Sequence, residues 1–277
     1  MTALAFTKMH GLGNDFVVID GRAGIPAVGA EEARAIGNRR TGVGFDQLLI
    51  LEPPVNGAAD VFMRIRNPDG SEAEACGNGT RCVAAMVMAE TGATELNVET
   101  VVGVLHAKTE ADGRVTVDMG PAATDWREIP LAEAVDTLHL GIEVGGLVDP
   151  VGVGVGNPHM VFFVDDVDAV GLETLGPQLE THRLYPERTN VEIVQVIGED
   201  RLRMRVWERA AGITRACGSG ACAVAVAAHR RGLTGRTVEI VLDGGPLGIT
   251  WSEDNRLLMT GPVATSFAGI FDSSLLG

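Results

Sequence analysis

Apolar and polar positions alternate with period two over Val61-Phe-Met-Arg-Ile-Arg66 and Arg201-Leu-Arg-Met-Arg-Val206, which predicts half-buried strands. Val115-Thr-Val-Asp-Met119 and Leu257-Leu-Met-Thr260 also read as strands, each closed by Gly-Pro. Apolar, β-branched runs at Val17-Val-Ile19 and Val161-Phe-Phe-Val164 each follow a Gly-Asn pair. Two stretches carry a different pattern. Arg81 to Glu90 and Ala221 to Arg230 are alanine-rich and apolar, as suits buried helices. The glycines between Gly141 and Gly156 punctuate short strands rather than marking a low-complexity linker.

These elements come in pairs. Ala75-Cys-Gly-Asn-Gly-Thr-Arg-Cys-Val-Ala-Ala85 resembles Ala216-Cys-Gly-Ser-Gly-Ala-Cys-Ala-Val-Ala-Val226, and the spacing from Cys76 to Cys217 also relates Gly120-Pro121 to Gly261-Pro262. A spacing two residues longer relates Gly13-Asn14 to Gly156-Asn157, as short insertions between copies would produce. One register shared by distant features predicts a duplicated chain. The expected fold class is α/β (α+β), with two pseudo-symmetric domains. The first is expected over residues 1–120 with a C-terminal return at about 264–277, the second over 121–263.

Composition narrows the function classes. The 277 residues are 45% hydrophobic and 21% charged, enough for a sizeable core, and carry a formal charge of −15 spread along the chain. Such a surface repels phosphate backbones and anionic membranes, so neither nucleic acid nor a membrane is an expected partner. No apolar run approaches the length of a membrane span, and the first ten residues lack the basic start of a signal peptide. A cytoplasmic address is expected.

In that compartment the four cysteines, Cys76, Cys82, Cys217 and Cys222, are expected as free thiols. Cys76 and Cys217 each precede a glycine-flanked helix start, a setting expected to lower a thiol pKa and to bring backbone amides close to a bound anion. Two such thiols suit removal of a proton from one face of a carbon and its return on the other. Taken alone, each motif reads equally well as a tight turn beside a small buried hydrophobe. Its retention in both copies favours chemistry. Cys82 and Cys222 differ in offset from their partners and read as core thiols. The cysteine spacings fit neither a zinc site nor a Cys-x-x-Cys redox motif, so no metal is expected.

Lys8-Met-His-Gly-Leu-Gly-Asn-Asp-Phe16, Gly42-Val-Gly-Phe-Asp-Gln47, Asn67-Pro-Asp-Gly-Ser71, Gly156-Asn-Pro-His159, Glu187-Arg-Thr-Asn190, Glu208-Arg209 and the two cysteine motifs run the length of the chain. On these segments the chain resembles the diaminopimelate epimerase family over nearly its whole length. The resemblance implies two α/β domains, each a β-sheet or barrel around a central helix, with the active site in the cleft between them. It implies interconversion of LL- and meso-2,6-diaminopimelate on the route to lysine and peptidoglycan, with no cofactor, by a homodimer. The catalytic residues implied are Cys76, Cys217, His159 and Glu208, with Cys76 as donor and Cys217 as acceptor in the LL direction. The implied substrate-binding residues are Asn14, Gln47, Asn67, Gly77, Asn78, Asn157, Asn190, Glu208, Arg209, Gly218 and Ser219. Arg209 offers a planar fork for a carboxylate, Glu208 an acceptor for an ammonium, and the amides suit a zwitterion. Away from that resemblance, each asparagine reads first as a turn-former or cap, and Glu208-Arg209 alone could be a surface pair and His159 a core residue.

Two departures stand out. Where the family commonly reads Tyr-Glu-Arg-Gly-x-Gly-Glu-Thr, this chain has Trp207-Glu-Arg-Ala-Ala-Gly-Ile-Thr214, so Ala210 and Ile213 replace glycine and glutamate. Phe267 stands where some relatives carry a tyrosine that supports dimer formation. The competing readings are a proline or hydroxyproline racemase-like enzyme, a thiol-redox switch and a non-catalytic amino-acid-binding module. Glu208-Arg209 argues against the first by offering a second charged end of a substrate its partners.

Overall fold

The period-two segments form strands and the alanine-rich segments form helices, laid out twice on one plan. The structure is a computed structural model that describes residues 4–24, 28–74 and 76–272. Ala75 of the first cysteine motif and residues 273–277 of the expected C-terminal return lie outside the described residues. The chain divides into two compact units, Met1–Val117 with Gly261–Gly277, and Asp118–Thr260.

In the first unit, β1 (Leu4–Gly11) and β2 (Asn14–Asp20) form a hairpin. Its turn residues Leu12 and Gly13 both take positive φ, at 57° and 82°. After α1 (Ala30–Gly37), β3 (Gln47–Glu52) runs parallel to β2, and β4 (Val61–Arg66) runs antiparallel to β3. The short β5 (Glu72–Ala73) folds back on β4 and leads into α2 (Gly77–Thr91). Next, β6 (Glu95–Thr100) pairs in parallel with β4, followed by antiparallel β7 (Gly103–Thr109) and β8 (Val115–Pro121). Strands β1, β2, β3, β6 and β7 all pack on α2, so the sheet wraps the helix.

The second unit repeats this order. A small hairpin of β9 (Glu143–Val144) and β10 (Leu147–Val148) precedes β11 (Val151–Gly154), which pairs antiparallel with β12 (Pro158–Phe163). After α3 (Leu172–Glu180), β13 (Asn190–Gly198) runs parallel to β12, β14 (Arg201–Glu208) antiparallel to β13, and β15 (Gly212–Ile213) folds back on β14. Then come α4 (Gly218–Arg230), β16 (Thr237–Leu242) parallel to β14, and antiparallel β17 (Gly245–Trp251) and β18 (Arg256–Gly261). β11, β12, β13, β16 and β17 pack on α4. The last strand, β19 (Ala264–Phe271), belongs to the first unit, where it pairs antiparallel with β1.

Alanine suits a helix enclosed by a sheet because a small side chain lets strand side chains approach on every side. Ala221 to Ala228 are all buried, and the helix is apolar all round rather than amphipathic. Val224 and Val226 within it are fully buried, worth roughly 1.5–3 kcal/mol each. Both helices begin earlier than the alanine pattern predicts, at Gly77 and Gly218. The glycines are therefore the first turn of each helix, not a loop before it. Among the described residues no helix is long and apolar enough to cross a membrane.

Candidate active site

In both units a cysteine is the residue at which the chain turns into the buried helix. Cys76 is extended, with φ −151° and ψ 103°, and its Sγ accepts from the Gly79 amide at 3.3 Å. Cys217 has φ −121° and ψ 112°, and its Sγ accepts from the Gly220 amide at 3.4 Å. Each sulfur thus fills the capping role usually taken by a serine, threonine or aspartate oxygen. Cys76 is partly exposed and Cys217 is buried.

The third residue after each cysteine is glycine because something stands against it. A Cβ at Gly79 would lie 3.2 Å from both methyl carbons of Leu49, and one at Gly220 would lie 2.8 Å from Oε1 of Glu192. The expectation that a helix start lowers the thiol pKa is reversed at Cys217. Burial pushes this thiol well above its ordinary value, the Glu208 and Glu192 carboxylates push it further, and the Gly220 amide and Ser219 hydroxyl recover only part. Desolvation outweighs the helix end.

Around Cys217 the sequence-predicted residues of the second unit come together. Glu208 ends β14; burial raises its carboxyl above the usual range, against hydrogen bonds from Thr214 and from the Cys217 thiol. Thr214 Oγ1 donates to Glu208 Oε1. His159 is fully buried on β12, with Nδ1 2.7 Å from Glu192 Oε1 and Nε2 2.9 Å from Asn157 Oδ1. Asn157 Nδ2 donates to Ser219 Oγ at 3.4 Å, and Ser219 Oγ lies 3.6 Å from Cys217 Sγ. Asn190 Oδ1 accepts from the Arg209 amide at 2.8 Å, while Arg209 Nη1 donates to the Glu187 carbonyl at 3.1 Å. Gly218 is buried in the first turn of α4.

The first unit assembles the others. Asn78, in the first turn of α2, donates from Nδ2 to Asn14 Oδ1 at 3.1 Å. Asn14 Nδ2 in turn donates to Asp46 Oδ2 at 3.0 Å. Gln47 Nε2 reaches Asn67 Oδ1 at 3.4 Å, and Asn67 Nδ2 donates to Ser71 Oγ at 3.0 Å. Gly77 is buried beside Asn78. The Asn14–Asn78 pair lies at the end of α2 where its N–H groups begin, a place suited to a carboxylate.

Three acidic residues absent from the sequence-derived set support these groups. Asp46 orients Asn14 and is itself paired with Arg39 Nη2 at 2.8 Å. Glu192 backs His159. Glu180, buried at the end of α3, accepts from Trp207 Nε1 at 2.7 Å and from the Ala210 amide at 3.1 Å, so it holds the segment carrying Glu208 and Arg209. Glu192 left one signal in the sequence, a lone acid inside the apolar run Val191-Glu-Ile-Val194. Glu180 left none, because its partners lie on other elements.

The departures from the family pattern also find their places. Ala210 sits at φ 62°, in the left-handed region that favours glycine, and Ile213 packs on the cluster containing Leu172 and Leu179. Cys82 and Cys222 are fully buried in their helices, and burial pushes the Cys82 thiol up to about 12. Among the described residues no group of three or more His, Cys, Asp or Glu side chains is placed to hold a metal ion.

A sheet wrapped around a helix, built twice, defines a known class of fold. The chain superposes with a TM-score of 0.69 on a probable proline racemase from Agrobacterium radiobacter, 17% identical, over 99% of this chain and 96% of the other. The same score relates it to a PhzF-family phenazine biosynthesis protein from Bacillus anthracis, 16% identical, over 98% of this chain and 100% of the other. Likeness at this identity concerns architecture.

Sequence relatives narrow the class. The diaminopimelate epimerase family model matches residues 6–124 and 151–266. A diaminopimelate epimerase of Rhodospirillum centenum is 60% identical over 271 residues, 98% of this chain and 93% of the relative. One of Erythrobacter litoralis is 54% identical over 270 residues, 97% of each chain. The chain belongs to the diaminopimelate epimerase family and is an isomerase of the epimerase class.

Proposed function

We propose that the protein interconverts LL- and meso-2,6-diaminopimelate, without a cofactor, by exchanging the proton on one α-carbon between two thiols. The observation that carries the reading is the repeated cysteine cap on a buried helix in a chain 60% identical to a diaminopimelate epimerase. In the LL direction Cys217 takes the α-proton as a thiolate and Cys76 delivers a proton to the opposite face; the roles exchange in reverse. One C–H bond breaks and one forms, so no oxidant or reductant is consumed. Glu208, with its raised carboxyl, is matched to accept the Cys217 proton before the attack.

The amides of Gly77, Asn78, Gly218 and Ser219 would hold the reacting α-carboxylate and stabilise charge developing on the carbon. Asn14, Gln47, Asn67, Asn157, Asn190, Glu208 and Arg209 would take the remaining ammonium and carboxylate groups, and His159 would orient Asn157. The product suits the route to lysine and peptidoglycan, in the cytoplasm. The exposed Phe267 on β19 would supply an apolar contact for a homodimer. Replacing Phe267 with Glu is expected to turn a dimer into a monomer by light scattering.

Incubation with LL-diaminopimelate in deuterated water, followed by chiral analysis, tests the reaction. Inversion with one deuterium at the α-carbon is expected. Turnover of proline with no exchange into diaminopimelate would overturn the assignment.

A further inference from the structure

We propose that Glu192 is a positioning residue for the second thiol: paired with His159, it points the imidazole at Asn157 and opposes the amides at the start of α4, holding Cys217 as a thiol until substrate arrives. The inference rests on the reading of Cys217 as one of the two acid–base groups.

Glu192 and His159 are both fully buried, with Oε1 2.7 Å from Nδ1. Glu192 Oε1 and Asn157 Oδ1 can both accept, so the ring is fixed between them, with Nδ1 toward the carboxylate and Nε2 toward the amide oxygen. The carboxylate's other oxygen, Oε2, is buried and has no hydrogen-bond partner among the described residues. A core that needed only packing would not keep such an atom.

The first unit carries apolar side chains at the matching strand positions. Parallel pairing sets Val18 opposite Leu49 and Phe16 opposite Gln47 in β2 and β3. In β12 and β13 it sets Val161 opposite Glu192 and His159 opposite Asn190. Strand for strand, His159 and Glu192 occupy the places of Phe16 and Leu49, which are fully buried and apolar. Leu49 and Glu192 also press on equivalent glycines, Gly79 and Gly220.

The helix end beside Gly220 favours a thiolate, and Glu192 meets it from the strand side. The titratable groups facing Cys217 are Glu208 on β14 and Glu192 on β13, with His159 on β12 behind the latter. The other strands packed on α4 add nothing near the sulfur: β11 and β17 carry no titratable side chain, and Glu239 on β16 is exposed and paired with Arg201.

Peptide-resolved alkylation with iodoacetamide across pH reads each thiol separately and needs no substrate. In Glu192→Gln, Cys217 labelling near neutral pH is expected to rise roughly tenfold, the effect of about one pK unit, while Cys76 labelling is unchanged. The kcat for epimerisation is expected to fall with KM held within about twofold. A double substitution, His159→Phe with Glu192→Leu, transplants the apolar pair of the first unit and is expected to give the same rise. Unchanged or slower Cys217 labelling in either folded variant would overturn the proposal. So would failure of the transplant to fold, since the pair would then be structural. The expected labelling together with no turnover of diaminopimelate would support the role of Glu192 and remove only the substrate assignment.

Discussion

The strand side chain that presses on the helix glycine beside Cys76 is Leu49, and beside Cys217 it is Glu192; on the neighbouring strands Phe16 and His159 hold equivalent places. The helix, the capping geometry and the strand register are the same in both units, so the backbone plan survived duplication while the buried surroundings diverged. A reaction that takes a proton from one face and returns it on the other works with its two groups in opposite protonation states. Identical surroundings would titrate the two together, and different surroundings separate them.

The largest effect that breaks this comparison is removal of either sulfur. Cys76→Ala and Cys217→Ala are each expected to lower kcat by about three orders of magnitude while substrate still binds, measured by chiral analysis and by calorimetric titration. Glu208→Gln alters the second unit alone. Its expected cost is about 100-fold in kcat, read with the pH profile, because a neutral amide cannot take the thiol proton.

Glu180→Ala asks whether the support behind Glu208 and Arg209 is as necessary as the site itself. The Trp207 indole and the Ala210 amide lose their acceptor, so a loss of about 2–3 kcal/mol in urea unfolding is expected, with a raised KM.

Alkaline pH separates folded from unfolded thiols. Cys217 and Cys82 have folded pKa values above their unfolded ones, so the folded chain keeps protons that the unfolded chain releases. Stability is therefore expected to fall as pH rises through the ordinary thiol range, by up to about 1.4 kcal/mol per pH unit for each thiol. Cys217→Ser should flatten that slope in urea midpoints.

The smallest effect is a gain. Ala210→Gly relieves a left-handed residue and is expected to add about 0.5–1 kcal/mol, seen as a higher thermal midpoint. An unchanged midpoint would show that glycine's extra freedom in the unfolded chain offsets the relieved strain.

Much of this was legible beforehand. Period two at Val61 to Arg66 and at Arg201 to Val206 became β4 and β14, and the alanine-rich segments became α2 and α4. The helix starts were misplaced by a few residues because glycine has poor helix propensity, and only enclosure by the sheet made it favourable there. Cys76 and Cys217 stood out because the motif repeats. Asn14 and Asn78 bond directly although they are far apart in sequence. Their contact depends on a hairpin meeting a helix start, which no local pattern encodes.

What the sequence determined by itself was the duplicated α/β plan, the two thiols and the family, since periodicity and motif are local or simply repeated. Tertiary structure alone decided the electrostatics of each thiol. A helix N-terminus looks the same in both motifs, yet desolvation and the carboxylates of Glu208 and Glu192 reverse its effect at Cys217. The sign of that balance depends on which side chains two separate strands bring to one sulfur, and on how little water remains beside it.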